Sequence, residues 1–335
     1  MKSKALFALI LASTVAISIS GPADIALAED SVEPPSVALG GAEVGDNPLP
    51  ALQSVTAKSS SAATNVLSDV ASVATDDSGS NAIEATVSDI RVVVPADPAS
   101  PISLESSTGT SIKISLPFAG EAAGAKPVLN GVVAYDNDNG STTVPVVKND
   151  GSIQIMTVIK DSAAPTTYTY NIGLAPNSSL VPESDGGVSV LGPDGSRIGA
   201  FAPAWAKDAN GTDVKTRYEV AGTNLVQVVE HSAADTAYPI TADPYFGIDL
   251  ISSAYWSGGT FVVTPTWWAR ANGNSPMAHQ ALLTEFCDKY RSACNTQMWW
   301  QLACHAQFAP FKATWNLDSW RWRDSYYAYI INWCN

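Results

Sequence analysis

Val144-Pro145-Val146-Val147-Lys148-Asn149-Asp150-Gly151-Ser152-Ile153-Gln154-Ile155-Met156-Thr157-Val158-Ile159 reads as two strands, residues 144–147 and 153–159, about a tight reversal. Asn149-Asp150-Gly151 supplies the positive φ that such a reversal needs. The same pattern spreads outward in both directions. Upstream, residues 90–94 and 111–116 alternate, and Ile112, Ile114 and Leu116 share one face. Downstream, residues 188–191 and 197–201 bracket Gly192-Pro193-Asp194-Gly195, and residues 215–220 and 225–230 are joined through Ala221-Gly222-Thr223-Asn224. Strands at this spacing with Gly, Pro and Asp turns predict an antiparallel, sandwich-like all-β domain over residues 90–244 rather than an α/β sheet. Pro239 and Pro244 impose an extended exit and place the domain's end at Pro244.

Past that point the composition changes. Residues 245–335 hold all four cysteines and nine of the ten tryptophans. Six basic and five acidic side chains give this stretch a net charge of +1, leaving −15 on the rest of a chain whose total is −14. Strands are expected over residues 251–256 and 260–268 around Ser257-Gly258-Gly259, then an amphipathic helix from Pro276 to about Arg291. A second helix over residues 296–308 is capped by Asn295 or Thr296 and stopped by Pro310, and residues 326–333, rich in aromatic and β-branched side chains, read as a closing strand. The expectation is a small α+β module following a β-sandwich-like domain.

Residues 1–28 have the three parts of a secretory signal peptide: Lys2 and Lys4, an apolar stretch over residues 5–19, and Ala26-Leu27-Ala28 before Glu29. No later apolar run is long enough to stop transfer, so the mature chain is expected to be extracellular, released or held at a cell wall by contacts. Residues 29–89 are rich in Ser, Ala, Pro and Asp and poor in aromatics, and read as a disordered acidic linker. The acidic balance argues against nucleic acid or an anionic membrane as the main partner.

In an oxidising compartment Cys287, Cys294, Cys304 and Cys334 imply two disulfides, with three pairings open and Cys287–Cys294 with Cys304–Cys334 preferred. The sharper alternative is a zinc site using Cys304, His305 and His279, but the paired CxxC or HxxxH spacing is missing. The sequence has no nucleophile elbow, HExxH, phosphate loop or dinucleotide fingerprint, and no cofactor is expected. Asp136-Asn137-Asp138-Asn139-Gly140 has its glycine one place early for a calcium loop and Val147 where a glutamate is needed, so it reads as a polar hairpin tip. Cys304-His305 does not make a thiol protease, because helix neighbours point about 100° apart. His305 remains the one weak catalytic candidate.

The binding candidates are Trp315, Trp320, Arg321, Trp322 and Arg323. In an extended segment Trp320 and Trp322 face one side, for stacking on sugars or an interface, while Arg321 and Arg323 face the other. The competing reading puts the tryptophans in a small core.

Three blocks, Phe261 through Arg270, Trp300 through Ala309 and Lys312 through Arg321, resemble a family of uncharacterised C-terminal domains in exported proteins of high-GC Gram-positive bacteria. That resemblance implies an origin and a domain boundary and brings no activity with it. The 238–244 exit resembles a β-rich spacer that precedes unrelated tails in such proteins. The leading expectation is therefore a secreted, non-enzymatic protein whose tail contacts an envelope glycan or a surface protein. One alternative is an exported toxin or hydrolytic effector, with His305 or His279 working beside Asp318, Asp324 or Glu285; another is a structural envelope protein.

Overall fold

The computed structural model describes residues 47–59, 63–76, 78–88, 90–106, 109–195, 197–247, 250–271, 273 and 276–334. The expected signal peptide and the start of the expected linker lie outside them. The chain begins with helix α1 (Leu49–Ala57) and strands β1 (Asn81–Val87), β2 (Ile90–Pro95), β3 (Ile102–Ser106), β4 (Ser111–Ser115), β5 (Lys126–Leu129) and β6 (Val132–Asp136). There follow β7 (Ser141–Val147), β8 (Ile153–Ile159), β9 (Thr167–Gly173), β10 (Ser179–Pro182), β11 (Val188–Leu191), β12 (Arg197–Phe201) and β13 (Ala206–Lys207). The central region closes with β14 (Thr216–Ala221), β15 (Asn224–Val229), β16 (Ile240–Ala242) and β17 (Tyr245–Gly247).

These strands form two antiparallel sheets. One runs β1-β2-β3-β4-β9-β15-β14; the other runs β10-β11-β12-β17-β8-β7-β6-β5, with β16 also pairing β8. They face each other across one core, Ile90, Val92, Ile112, Ile114, Tyr168 and Tyr170 from the first meeting Val133, Tyr135, Ile153, Ile155 and Phe246 from the second. The reversal between β7 and β8 forms as expected, with Gly151 at φ 80°. The all-β sandwich-like reading holds, as does the polar tip between β6 and β7, where Asn137 Nδ2 donates to Ser141 Oγ and Thr143 Oγ1, both at 3.0 Å.

Residues 29–89 are not a linker along their whole length. Strand β1 extends the first sheet, and α1 packs Ala51, Leu52 and Val55, together with Val66, against Val132, Val144, Val146, Met156 and Val158 on the outer face of the second. Every residue of β7 and β8 is consequently buried. Lys148 fastens this cover: its ammonium is buried and donates to the carbonyls of Val66 at 2.6 Å and Ser68 at 3.0 Å. Desolvation lowers its pKa to about 7, against a smaller opposing pull from Asp150 and Asp69.

The C-terminal module comprises β18 (Ile251–Ser257), β19 (Thr260–Pro265), α2 (Trp267–Ala271), α3 (Pro276–Lys289), α4 (Thr296–Phe308), β20 (Trp315–Asp318) and α5 (Tyr326–Ile331). Its sheet order is β18-β19-β20. Disulfides join Cys287 to Cys294 and Cys304 to Cys334, with Cα separations of 4.9 and 5.3 Å. The Asn295 side chain caps α4 by accepting from the Gln297 and Met298 amides.

Three expectations fail here. The closing strand over residues 326–333 is the helix α5: Ser325 Oγ accepts the Ala328 amide as an N-cap, and Tyr329 is buried against α4 while Tyr327 and Ile331 face out. Trp267 and Trp268 belong to α2, not to the preceding strand. Nor does the fold change register at Pro244. Tyr245–Gly247 is β17, paired with both β12 and β8, and the module's core takes in Ala200, Ala202 and Tyr245 beside Phe261, Val263, Trp268, Phe286 and Leu302. Trp268 lies over Gly247, where an added Cβ would meet its ring at 2.9 Å. The turn residue Asp150 reaches across the same junction, accepting the Trp268 amide at 3.0 Å and the Ser152 amide at 2.9 Å. The β-sandwich and the module thus share buried surface, and the described residues form one compact unit. Among the described residues no helix is long and apolar enough to cross a membrane.

Candidate aromatic binding site

Helix α4 carries Gln297, Gln301 and His305 at successive four-residue steps, which places them on one face. That face receives the chain from Asn316 to Arg323. His305 Nε2 donates to the Asn316 carbonyl at 3.1 Å. Gln301 accepts the Asp318 amide through Oε1 at 2.7 Å and donates through Nε2 to the Asp318 carbonyl at 3.1 Å. Gln297 repeats the arrangement at Arg323, accepting its amide at 3.2 Å and donating to its carbonyl at 3.1 Å. The Tyr329 hydroxyl lies 2.5 Å from both Gln297 Oε1 and the Arg321 carbonyl. Side-chain amides thus replace a neighbouring strand along the outer edge of β20 and then hold the loop that follows.

Between the two glutamine anchors, Trp320 and Trp322 project outward, 57% and 71% exposed. Trp320 is seated on the β18–β19 turn. Both turn glycines have positive φ, and a Cβ on Gly259 would come within 3.0 Å of the Trp320 ring. Trp256, 45% exposed, stands at the same end of the hairpin and packs edge-on against Phe261 with ring centroids 5.0 Å apart. Arg321 Nε pairs with Asp318 Oδ2 at 2.7 Å, and Asp318 Oδ1 accepts from Thr260 Oγ1 at 2.7 Å.

Not every sequence candidate reaches this surface. Trp315 is fully buried and donates its indole N–H to the Ala309 carbonyl, so it is core. Residues 320–323 are not a strand, because β20 ends at Asp318 and the Arg321 amide turns back to the Asp318 carbonyl; the predicted alternation of Trp and Arg faces does not form. His305 is 1% exposed and committed to β20. Glu285 accepts the Leu250 and Ile251 amides at 2.7 and 2.9 Å and pairs with Lys289 at 2.9 Å. Burial lowers the His279 pKa, partly offset by a hydrogen bond at the Gly273 backbone. Cys304 is oxidised, which removes it as a thiolate ligand, and among the described residues no three His, Cys, Asp or Glu side chains gather to hold a metal.

The glutamine anchors escaped the sequence reading. The signal was the Gln297, Gln301, His305 spacing on an otherwise apolar helix: buried polar groups in register require backbone partners. Gln301→Ala is expected to lower stability by about 1–3 kcal/mol, since it strands the buried Asp318 amide and leaves the Asp318 carbonyl with the Arg321 amide alone. Denaturant titration checks this, and a change below about 0.5 kcal/mol, the level of an ordinary surface substitution, would contradict it.

Neither a curated protein nor a solved structure matches the chain. Residues 251–335, which contain the three-stranded sheet, α2–α5 and both disulfides, match the model of a family described as a protein of unknown function, DUF2599.

Proposed function

We propose that this is a secreted, non-enzymatic binding protein whose C-terminal module presents Trp320, Trp322 and Trp256 to a cell-envelope glycan. The observation that carries this reading is the fixing of the 320–322 loop at both ends by Gln301 and Gln297 while its two indoles stay in solvent. A Trp left exposed on a pre-ordered backbone loses little conformational entropy on binding. Its flat apolar face suits the C–H faces of a sugar ring. Among the described residues, nine of the ten large exposed hydrophobic side chains fall within residues 251–335, which favours a recognition surface on the module over one on the sandwich. The disulfides, and the lack among the described residues of a helix long and apolar enough to cross a membrane, are compatible with an extracellular setting.

The hydrolytic alternative is supported less, because His305, Glu285 and Asp318 are each engaged in holding backbone or a structural ion pair. Titration of the exported chain against envelope glycan fragments tests the proposal. Trp320→Ala and Trp322→Ala are each expected to weaken binding about tenfold, equivalent to about 1.4 kcal/mol, with the melting temperature unchanged. Affinity indifferent to both substitutions, or confined to a protein partner, would refute the glycan reading.

A further inference from the structure

The two edges of the module's sheet are treated differently. On β20 the outward backbone groups are taken by His305 and Gln301. On β18 the Glu285 carboxylate takes the amides of Leu250 and Ile251. Beyond that point, among the described residues, no strand other than β19 pairs with β18 and no hydrogen bond is made to the backbone of Ala254 or Trp256 from outside the hairpin. Ser252, Ser253, Tyr255, Trp256 and Ser257 are exposed.

An open edge is usually guarded by charge, proline or a covering element. The other outermost strands here follow that rule: β1 contains Glu84, β14 Arg217 and Glu219, β5 Lys126 and Pro127, and β10 Pro182. Strand β18, Ile-Ser-Ser-Ala-Tyr-Trp-Ser, has neither charge nor proline, and its single irregularity sits at the start, between Ile251 and Ser253.

The hairpin geometry says which groups are on offer. The two-residue turn Gly258-Gly259, with φ of 56° and 90°, makes Ser257 and Thr260 a hydrogen-bonded pair. Alternation then turns Tyr255 and Ser253 inward to Val262 and Thr264, and directs the amides and carbonyls of Ala254 and Trp256 away from β19. Those four groups require an extended strand as partner.

We infer that the partner is β18 of a second copy of this chain, paired antiparallel about a twofold axis through Tyr255. In that register Ala254 lies opposite the second copy's Trp256 position and the reverse, so all the outward groups are used and the contact is self-complementary. Charge points the same way. Each copy carries −14, and residues 251–269 contain no Asp, Glu, Lys, Arg or His, so this edge lets two acidic chains meet without apposing like charges. The product is a six-stranded sheet carrying two tryptophan surfaces, which raises avidity for a repeating ligand.

Sedimentation of the full exported chain over a range of concentrations tests this. A monomer–dimer equilibrium is expected, weakened at least tenfold by Tyr255→Lys, which places like charges at the axis, and by Ala254→Pro, which deletes an outward amide that β19 does not use. Circular dichroism confirms that both variants are folded. Tyr255→Cys should cross-link between chains under oxidation, because directly opposed residues at a non-hydrogen-bonded position have Cα atoms about 4.5 Å apart. A chain that stays monomeric at about 0.1 mM, where a Kd tighter than that gives visible dimer, overturns the inference. So does a dimer that survives both Tyr255→Lys and Ala254→Pro.

Discussion

Trp268→Ala is expected to destabilise the protein by about 3–5 kcal/mol, the range for truncating a large buried aromatic. Trp268 is 1% exposed, lies over Gly247 of the sandwich, and belongs to the same buried cluster as Ala200, Ala202 and Tyr245. Its indole N–H also points to the Tyr245 carbonyl at 3.4 Å, a long contact that adds little. The loss therefore comes mainly from apolar contact across the junction. With the junction weakened, the module should unfold before the sheets do. Near-ultraviolet dichroism, dominated by the module's tryptophans, should then show an earlier midpoint than the far-ultraviolet β signal. Coincident midpoints at wild-type stability would show that the module stands independently of the sandwich.

Asp243 governs the second large effect, which is a dependence on pH. Its carboxyl is wholly buried, accepts from the Trp205 amide at 3.0 Å and from Gln227 Nε2 at 3.2 Å, and faces Tyr218. Desolvation outweighs those hydrogen bonds and raises the pKa to about 8 from 3.8. Between those values the folded chain keeps a proton that the unfolded chain has released. Stability therefore falls as pH rises through this window and levels off above it. At about 1.4 kcal/mol per pH unit the upper bound is roughly 6 kcal/mol. Lys148, with its pKa lowered to about 7, acts in the opposite sense, adding stability from about pH 7 upward towards its unfolded value. The informative quantity is thus the difference between wild type and Asp243→Asn, in which the Lys148 contribution cancels. The asparagine keeps an acceptor for Trp205 and Gln227 without an ionisable proton. Relative to wild type, Asp243→Asn is expected to gain about 3–5 kcal/mol between pH 5 and pH 8.5. Guanidinium denaturation at several pH values reads this directly, and parallel pH profiles would remove the assignment.

Much of the architecture was legible because it depends on local rules. The β7–β8 reversal follows from Asn149-Asp150-Gly151, the α4 boundaries from Asn295 and Pro310, and the β11–β12 hairpin from Gly192 to Gly195. The cover over the second sheet was missed because α1 is short and modestly apolar in isolation. The clue lay elsewhere, in residues 144–147 and 153–159 of β7 and β8, where only Gln154 and Thr157 are polar, a pattern that a sheet with one wet face would not carry. Helix α5 was missed for a related reason. Tyr and Ile favour strands on average, and here the Ser325 cap and packing of Tyr329 on α4 override that preference.

The candidate site divides along the same line. Composition alone concentrated tryptophan and cysteine in the last ninety or so residues, and residue types with their spacing were sufficient to place the turns and most strands, because backbone conformation responds to near neighbours. Which tryptophan is core and which is surface was decided only by tertiary structure: Trp315 and Trp320 are five positions apart, yet one is fully buried and the other 57% exposed. The physical reason is that solvent exposure depends on what a distant segment covers. Here that segment is α4, whose glutamines fix the backbone between them and leave the intervening indoles outside.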